Sequence, residues 1–188
     1  MFASSYKKSK LMKSLAYFSL IIFLSSFGTH YDSQIDWSAE RRLTWNDFKE
    51  KPDGQSANAA LTATDIRFDF SYNSQTGFEY HITCKFDKNK SWGRVKTDYI
   101  LSHEQGHFDI AEIYARKLCK AFREYKPDAE KANKEVNKIY QKQMNELSDT
   151  QKQYDGETNF SINKEKQAEW LKKIDEELKS LQAYANYH

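Results

Sequence analysis

Leu101-Ser102-His103-Glu104-Gln105-Gly106-His107-Phe108-Asp109 is the stretch whose residue types and spacing could do chemistry. It contains the pattern H-E-x-x-H. On a helix, His103 and His107 lie about 40° apart on one face, so both imidazoles can reach a single metal ion. Glu104 sits beside that face, where it can hold a water molecule and take its proton. Zinc suits this donor pair, and it lowers the pKa of a bound water toward ~7. A catalytic zinc takes three protein ligands and keeps one position open, so a third ligand must come from elsewhere. Asp109 and Glu112 point about 140° or more away from His107, which excludes both. The candidates are Glu130, Glu135, Asp155 and Glu157 downstream, and His81 upstream. Asp155 stands in Tyr154-Asp155-Gly156, which interrupts a helical pattern. As a loop carboxylate it could complete the zinc sphere while the Tyr154 phenol stabilises an oxyanion. The competing reading of this segment is a plain helix-to-helix turn capped by Thr158 or Asn159.

The elements that must position these groups follow from periodicity. Ile66, Phe68, Phe70 and Tyr72 alternate with polar residues over 65–72, and Phe78, Tyr80, Ile82, Cys84 and Phe86 do so over 78–87. Period two predicts half-buried strands, joined through residues 73–77 as an antiparallel hairpin. Further strands are expected near 59–64 and 91–96. Residues 29–58 read as a largely irregular arm whose aromatics pack on the domain. From Tyr99 the period becomes helical, and Lys126-Pro127 ends the first helix at about Tyr125. On it, His103 and His107 share an apolar stripe with Ile100, Ile110 and Tyr114, while Gln105, Asp109, Glu112 and Arg116 form a polar third face. Two further amphipathic helices are predicted, at about 128–153 and 163–184. The fold class is therefore α+β: a small antiparallel sheet followed by three helices, with H-E-x-x-H on the first.

The 188 residues suit one domain, and 29 basic against 27 acidic side chains exclude a nucleic-acid binder that relies on bulk positive charge. Residues 1–31 hold Lys7, Lys8, Lys10 and Lys13 and no acid, and residues 15–27 form an uncharged apolar stretch. That stretch has the length of a signal-peptide core and is short of the ~20 residues of a spanning helix. Residues 1–28 thus read as a cleaved signal peptide, with a retained short anchor as the alternative, and 29–188 as the single folded domain. The folded part is expected in the periplasm or outside the cell, with no membrane span after leader cleavage. An oxidising compartment permits a disulfide between Cys84 and Cys119, and two buried thiols are the other reading.

The sequence resembles the bacterial family called domain of unknown function 922, placed among zincin-like metallopeptidases as zinc-dependent proteases. The resemblance runs through Arg42-Leu43-Thr44-Trp45-Asn46-Asp47-Phe48, Ser91-Trp92, the segment 101–112, Ala115-Arg116, Tyr154-Asp155-Gly156-Glu157-Thr158, Gln167 and Trp170. It implies a zincin-like fold, zinc on His103 and His107, Glu104 as catalytic base, and a peptide or protein substrate. Many members carry His-Gly after the Tyr-Asp-x-x-Thr segment, where this chain has Phe160-Ser161. A catalytically impaired, zincin-fold binding or scaffold protein of the cell envelope is therefore the alternative expectation. A helical interaction module carrying the motif by chance would leave the two histidines without a convergent carboxylate.

Overall fold

The computed structural model describes residues 33–73, 75–128 and 130–187; the leader assigned to residues 1–28 lies outside them. The two alternating segments form a hairpin of the strands Thr64–Asn73 and Gly77–Asp87. Numbered in chain order with the shorter strands, these are β3 and β4. Ile66 faces Cys84 and Phe68 faces Ile82 across the pair, so the apolar residues share one face. Arg67, Asp69, Glu79 and His81 occupy the exposed face, as period two requires.

The arm is less irregular than expected. Gln34–Asp36 forms β1, antiparallel to β4, giving the sheet order β1-β4-β3. Three residues are too few to show a period, so pairing alone reveals this strand. Past β1, the lane beside β4 is filled by Trp37, whose N–H donates to Cys84 O at 3.1 Å, and by the C-terminal segment, where Tyr187 O accepts from Ile82 N at 3.2 Å. The strands expected near 59–64 and 91–96 are present as two-residue pieces, β2 (Ala60–Leu61) and β5 (Trp92–Gly93), which pair with each other.

Three helices follow. The first, α1 (Asp98–Glu124), is capped by the Thr97 hydroxyl, which accepts from Ile100 N, and it ends before Lys126-Pro127. The second, α2 (Ala132–Thr158), runs straight through Tyr154-Asp155-Gly156. The expected break there is corrected: a helix-interior glycine costs only about 1 kcal/mol, and full burial of Tyr154 and Thr158 outweighs it. The helix stops instead at Asn159, in the left-handed region with φ 48°. The third, α3 (Lys164–Ser180), is capped by Asn163 and followed by a 3-10 turn at Gln182–Tyr184.

In this fold most of α1 between His103 and Cys119 is buried. One face packs on the sheet through Phe108 against Phe86 and Phe122 against Phe68. Another packs on α2 and α3 around Tyr154 and Trp170. The polar third face is buried too, because the arm covers it. Asp109 accepts from Trp37 Nε1 at 2.8 Å, from the Arg42 guanidinium at 2.8 and 3.2 Å, and from Gln105 Nε2 at 2.9 Å. Glu112 takes Arg116 at 2.8 Å and the Tyr187 hydroxyl. Both cysteines are free and buried, so the bridge between Cys84 and Cys119 is absent. Cys119 Sγ meets the Tyr80 hydroxyl at 3.5 Å. Tyr80 lies four strand residues, about 13 Å, from Cys84, too far along β4 for the thiols to join. No described helix is long and apolar enough to cross a membrane.

Candidate metal centre

His103 and His107 project from one face of α1 toward the last turn of α2, where Asp155 meets them. His103 Nε2 lies 3.2 Å and His107 Nε2 3.0 Å from Asp155 Oδ1, and the two nitrogens are 3.2 Å apart. Among the described residues these three form a group able to hold a metal ion. The other candidates lie elsewhere. Glu157 accepts from Trp170 Nε1 at 2.7 Å, Glu135 accepts from the Tyr125 hydroxyl at 2.9 Å, Glu130 is exposed before α2 begins, and His81 sits opposite Asp69 on the outer sheet face.

The spacing fits an ion. Four ligands at ~2.0–2.1 Å in a tetrahedron stand about 3.3 Å from one another, and the three atoms here need only small adjustments to reach that. Two imidazole nitrogens and a carboxylate oxygen are also a donor set that zinc accepts. The charges respond to this crowding. Burial opposes ionisation of Asp155, but the two imidazoles beside it outweigh that and hold its carboxyl well below the usual range. Burial likewise opposes charge on His107, yet Asp155 and Glu104 raise its pKa.

Glu104 is 4% exposed, and its Oε2 accepts from the Thr62 hydroxyl at 2.7 Å. Burial pushes its pKa up, with His107 and Thr62 opposing the rise. Thr62 follows β2, and the segment 58–64 forms one wall of a cleft of about 380 Å³. His103, Glu104, His107, Gln151 and Asp155 line the same cleft, with Phe160 and Ser161 at its other side. The motif therefore opens onto a cavity rather than into the core.

Two supports set the ring orientations. Gln151, one turn before Asp155 on α2, uses both ends of its amide. Its Oε1 accepts from His107 Nδ1, and its Nε2 donates to His107 O at 2.9 Å. That second bond assigns which end of the amide faces the ring. In the neutral imidazole the lone pair then falls on Nε2, toward Asp155. Tyr154, for which an oxyanion role was expected, is the other support. The ring is fully buried, stacked on His103 at a centroid distance of 4.5 Å, and its hydroxyl donates to His103 O at 3.3 Å. It backs the imidazoles and does not line the cleft. A Cβ on Gly106 would stand 2.5 Å from the Tyr154 oxygen, so this close approach requires glycine inside the motif.

Gln151 and Thr62 went unread in the sequence. Gln151 precedes Asp155 by four residues, a signal usable only once α2 is known to continue. Thr62 carries no local signal, because only the fold of β2 against α1 brings it to Glu104.

No curated protein and no solved structure matches this chain. The family model described as "Bacterial protein of unknown function (DUF922)" matches residues 25–161, well over half of the sequence. The match spans the arm, the sheet, α1 and α2 with all of the converging side chains, and the chain belongs to that family.

Proposed function

We propose that this chain is an exported zinc-dependent hydrolase, most simply a zincin-like metallopeptidase, in which His103, His107 and Asp155 hold the ion. The observation that carries the reading is the convergence of three ligand atoms at 3.0–3.2 Å on the floor of an open cleft, with Glu104 beside them. A helical module carrying the motif by chance would lack that convergent carboxylate. Export rests on the basic and apolar leader.

Zinc in such a site supplies Lewis acidity toward a carbonyl oxygen and raises the acidity of water. The residues of the chain do the rest. Thr62 holds one oxygen of the Glu104 carboxylate, leaving the other to accept a proton from water as its oxygen attacks the scissile carbonyl carbon. Glu104 then gives that proton to the amine nitrogen as the C–N bond breaks. Gln151 keeps His107 in the tautomer that points Nε2 at the cluster.

The test is direct. Purified protein should contain about one zinc per chain. Glu104→Gln should keep the zinc and lower peptide hydrolysis by about 10²–10⁴-fold, the range of general acid–base catalysis. Wild-type protein that holds no zinc overturns the reading. A second reading, a zincin-fold envelope binding or scaffold protein without catalysis, draws on Phe160-Ser161 standing where many family members have His-Gly. It requires a zinc-loaded wild type that hydrolyses nothing.

A further inference from the structure

We infer that the cleft selects a peptide with a bulky apolar side chain next to the cleaved bond, and that Phe160 with Leu61 recognises it; this rests on the hydrolase reading above. The lining contains no Lys or Arg, so an acidic side chain entering the cleft finds no cation. Its two carboxylates have other work, Asp155 bonded to the imidazoles and Glu104 held through one oxygen by Thr62 with the other kept for the attacking water, so a basic side chain finds no acid set aside for it. What remains for a substrate side chain is apolar surface. Among the described residues only a few large hydrophobics are exposed, and two of them, Leu61 at 38% and Phe160 at 51%, stand in this cleft. Ala59, Ala60 and Ala63 beside them leave room for a large partner.

The backbone at Phe160 argues that its ring is placed there for use. Asn159, Phe160 and Ser161 have φ values of 48°, 50° and 69°, the left-handed region that disfavours residues with a Cβ. Strain of this kind costs roughly 1–3 kcal/mol per residue and gathers at functional sites. Burial of the ring does not compensate it, since the ring stays half exposed. The segment is held by Phe160 N donating to Asp155 O at 2.8 Å and Asn163 N donating to Thr158 O at 2.7 Å. The helical turn that presents Asp155 therefore also fixes Phe160.

Quenched fluorescent peptides that differ only in one residue flanking the cleaved bond (Phe, Leu, Asp or Lys) test the inference. With zinc-loaded wild type, kcat/KM for the Phe and Leu peptides should exceed that for Asp and Lys by about 10–200-fold, the range an apolar pocket can supply. Phe160→Gly suits the left-handed backbone and should hold its zinc while the ratio collapses to within a few-fold; Phe160→Leu should restore most of it. Equal rates for the four peptides, or a preference untouched in Phe160→Gly, overturn the proposal. If zinc-loaded protein cleaves none of them, the hydrolase reading fails by itself. Fluorescence anisotropy of the same peptides with Glu104→Gln then decides: tighter binding of the apolar pair upholds the recognition surface, and equal binding overturns it.

Discussion

His107 owes its orientation to an amide 44 positions away in sequence, on the next helix, because a free imidazole would rotate and tautomerise. Gln151 prevents both by accepting a hydrogen bond from Nδ1–H and donating one to the His107 carbonyl. Groups that orient a metal-binding histidine are typically worth 10–100-fold in metal affinity. If the site holds zinc as proposed, Gln151→Leu should therefore weaken its binding by about that factor, measured by competition with a chromophoric chelator. Gln151→Glu, which still accepts from Nδ1, should weaken it far less; equal losses in both variants would mean that the contact serves only packing. Tyr154 works differently, as a wall. Its ring fixes His103 by stacking, and Gly106 is small so that the ring can come that close. At this scale the histidine pair and Glu104 were legible, since their relation is local. Tyr154 and Asp155 were legible as residues of interest, yet their roles depended on the direction in which each side chain leaves α2.

That direction is set by the continuity of α2. A chain that turned at Tyr154-Asp155-Gly156 would leave Asp155 in a loop with a choice of orientations. In the helix, Gln151 and Asp155 share a face four residues apart, and one element delivers both the carboxylate and the clamp. Gly156 contributes flexibility that this arrangement does not use: a Cβ there meets nothing within 4 Å. Gly156→Ala should thus stabilise the protein by about 0.5–1 kcal/mol, seen as a higher Tm with unchanged zinc stoichiometry. A lower Tm would show that the last turn needs glycine. The hairpin and the three helices were readable because periods of two and 3.6 persist over eight or more residues. Local composition misplaced the end of α2, because tertiary burial of Tyr154 and Thr158 overrode the glycine signal.

Across the whole molecule, the arm and the C-terminus wrap the buried polar side of α1. The family segment 42–48 becomes intelligible there. Arg42 pairs with Asp109, Leu43 N donates to Gln105 Oε1 at 2.7 Å, Trp45 lies over Gly93, and Phe48 enters the core. Asp47 locks the turn by accepting from Thr44 N at 2.8 Å and Arg41 at 2.7 Å. Burial opposes its charge, but the Arg41 and Thr44 bonds prevail and lower its pKa. A depressed native pKa gives stability that is present above the unfolded value of ~3.9 and lost as pH falls through the native one. Asp47→Ala should cost about 1–2 kcal/mol at pH 7, and the gap to wild type in urea unfolding should close as pH drops below ~4. A gap that persists unchanged in acid would show that the carboxylate charge is not involved.

Helix geometry made the histidine pair certain from spacing alone, because residues four apart on a helix share a face whatever surrounds it. Alternation made the hairpin equally plain. The choice of Asp155 over Glu157, the separation of the cysteines, the burial of Asp109 and Glu112, and the approach of Thr62 to Glu104 all involve residues far apart in the chain, or rank neighbours that local pattern treats alike. Such choices follow from how α2, the arm and β2 dock on α1, and docking is settled by the packing of the whole core rather than by any short stretch of chain.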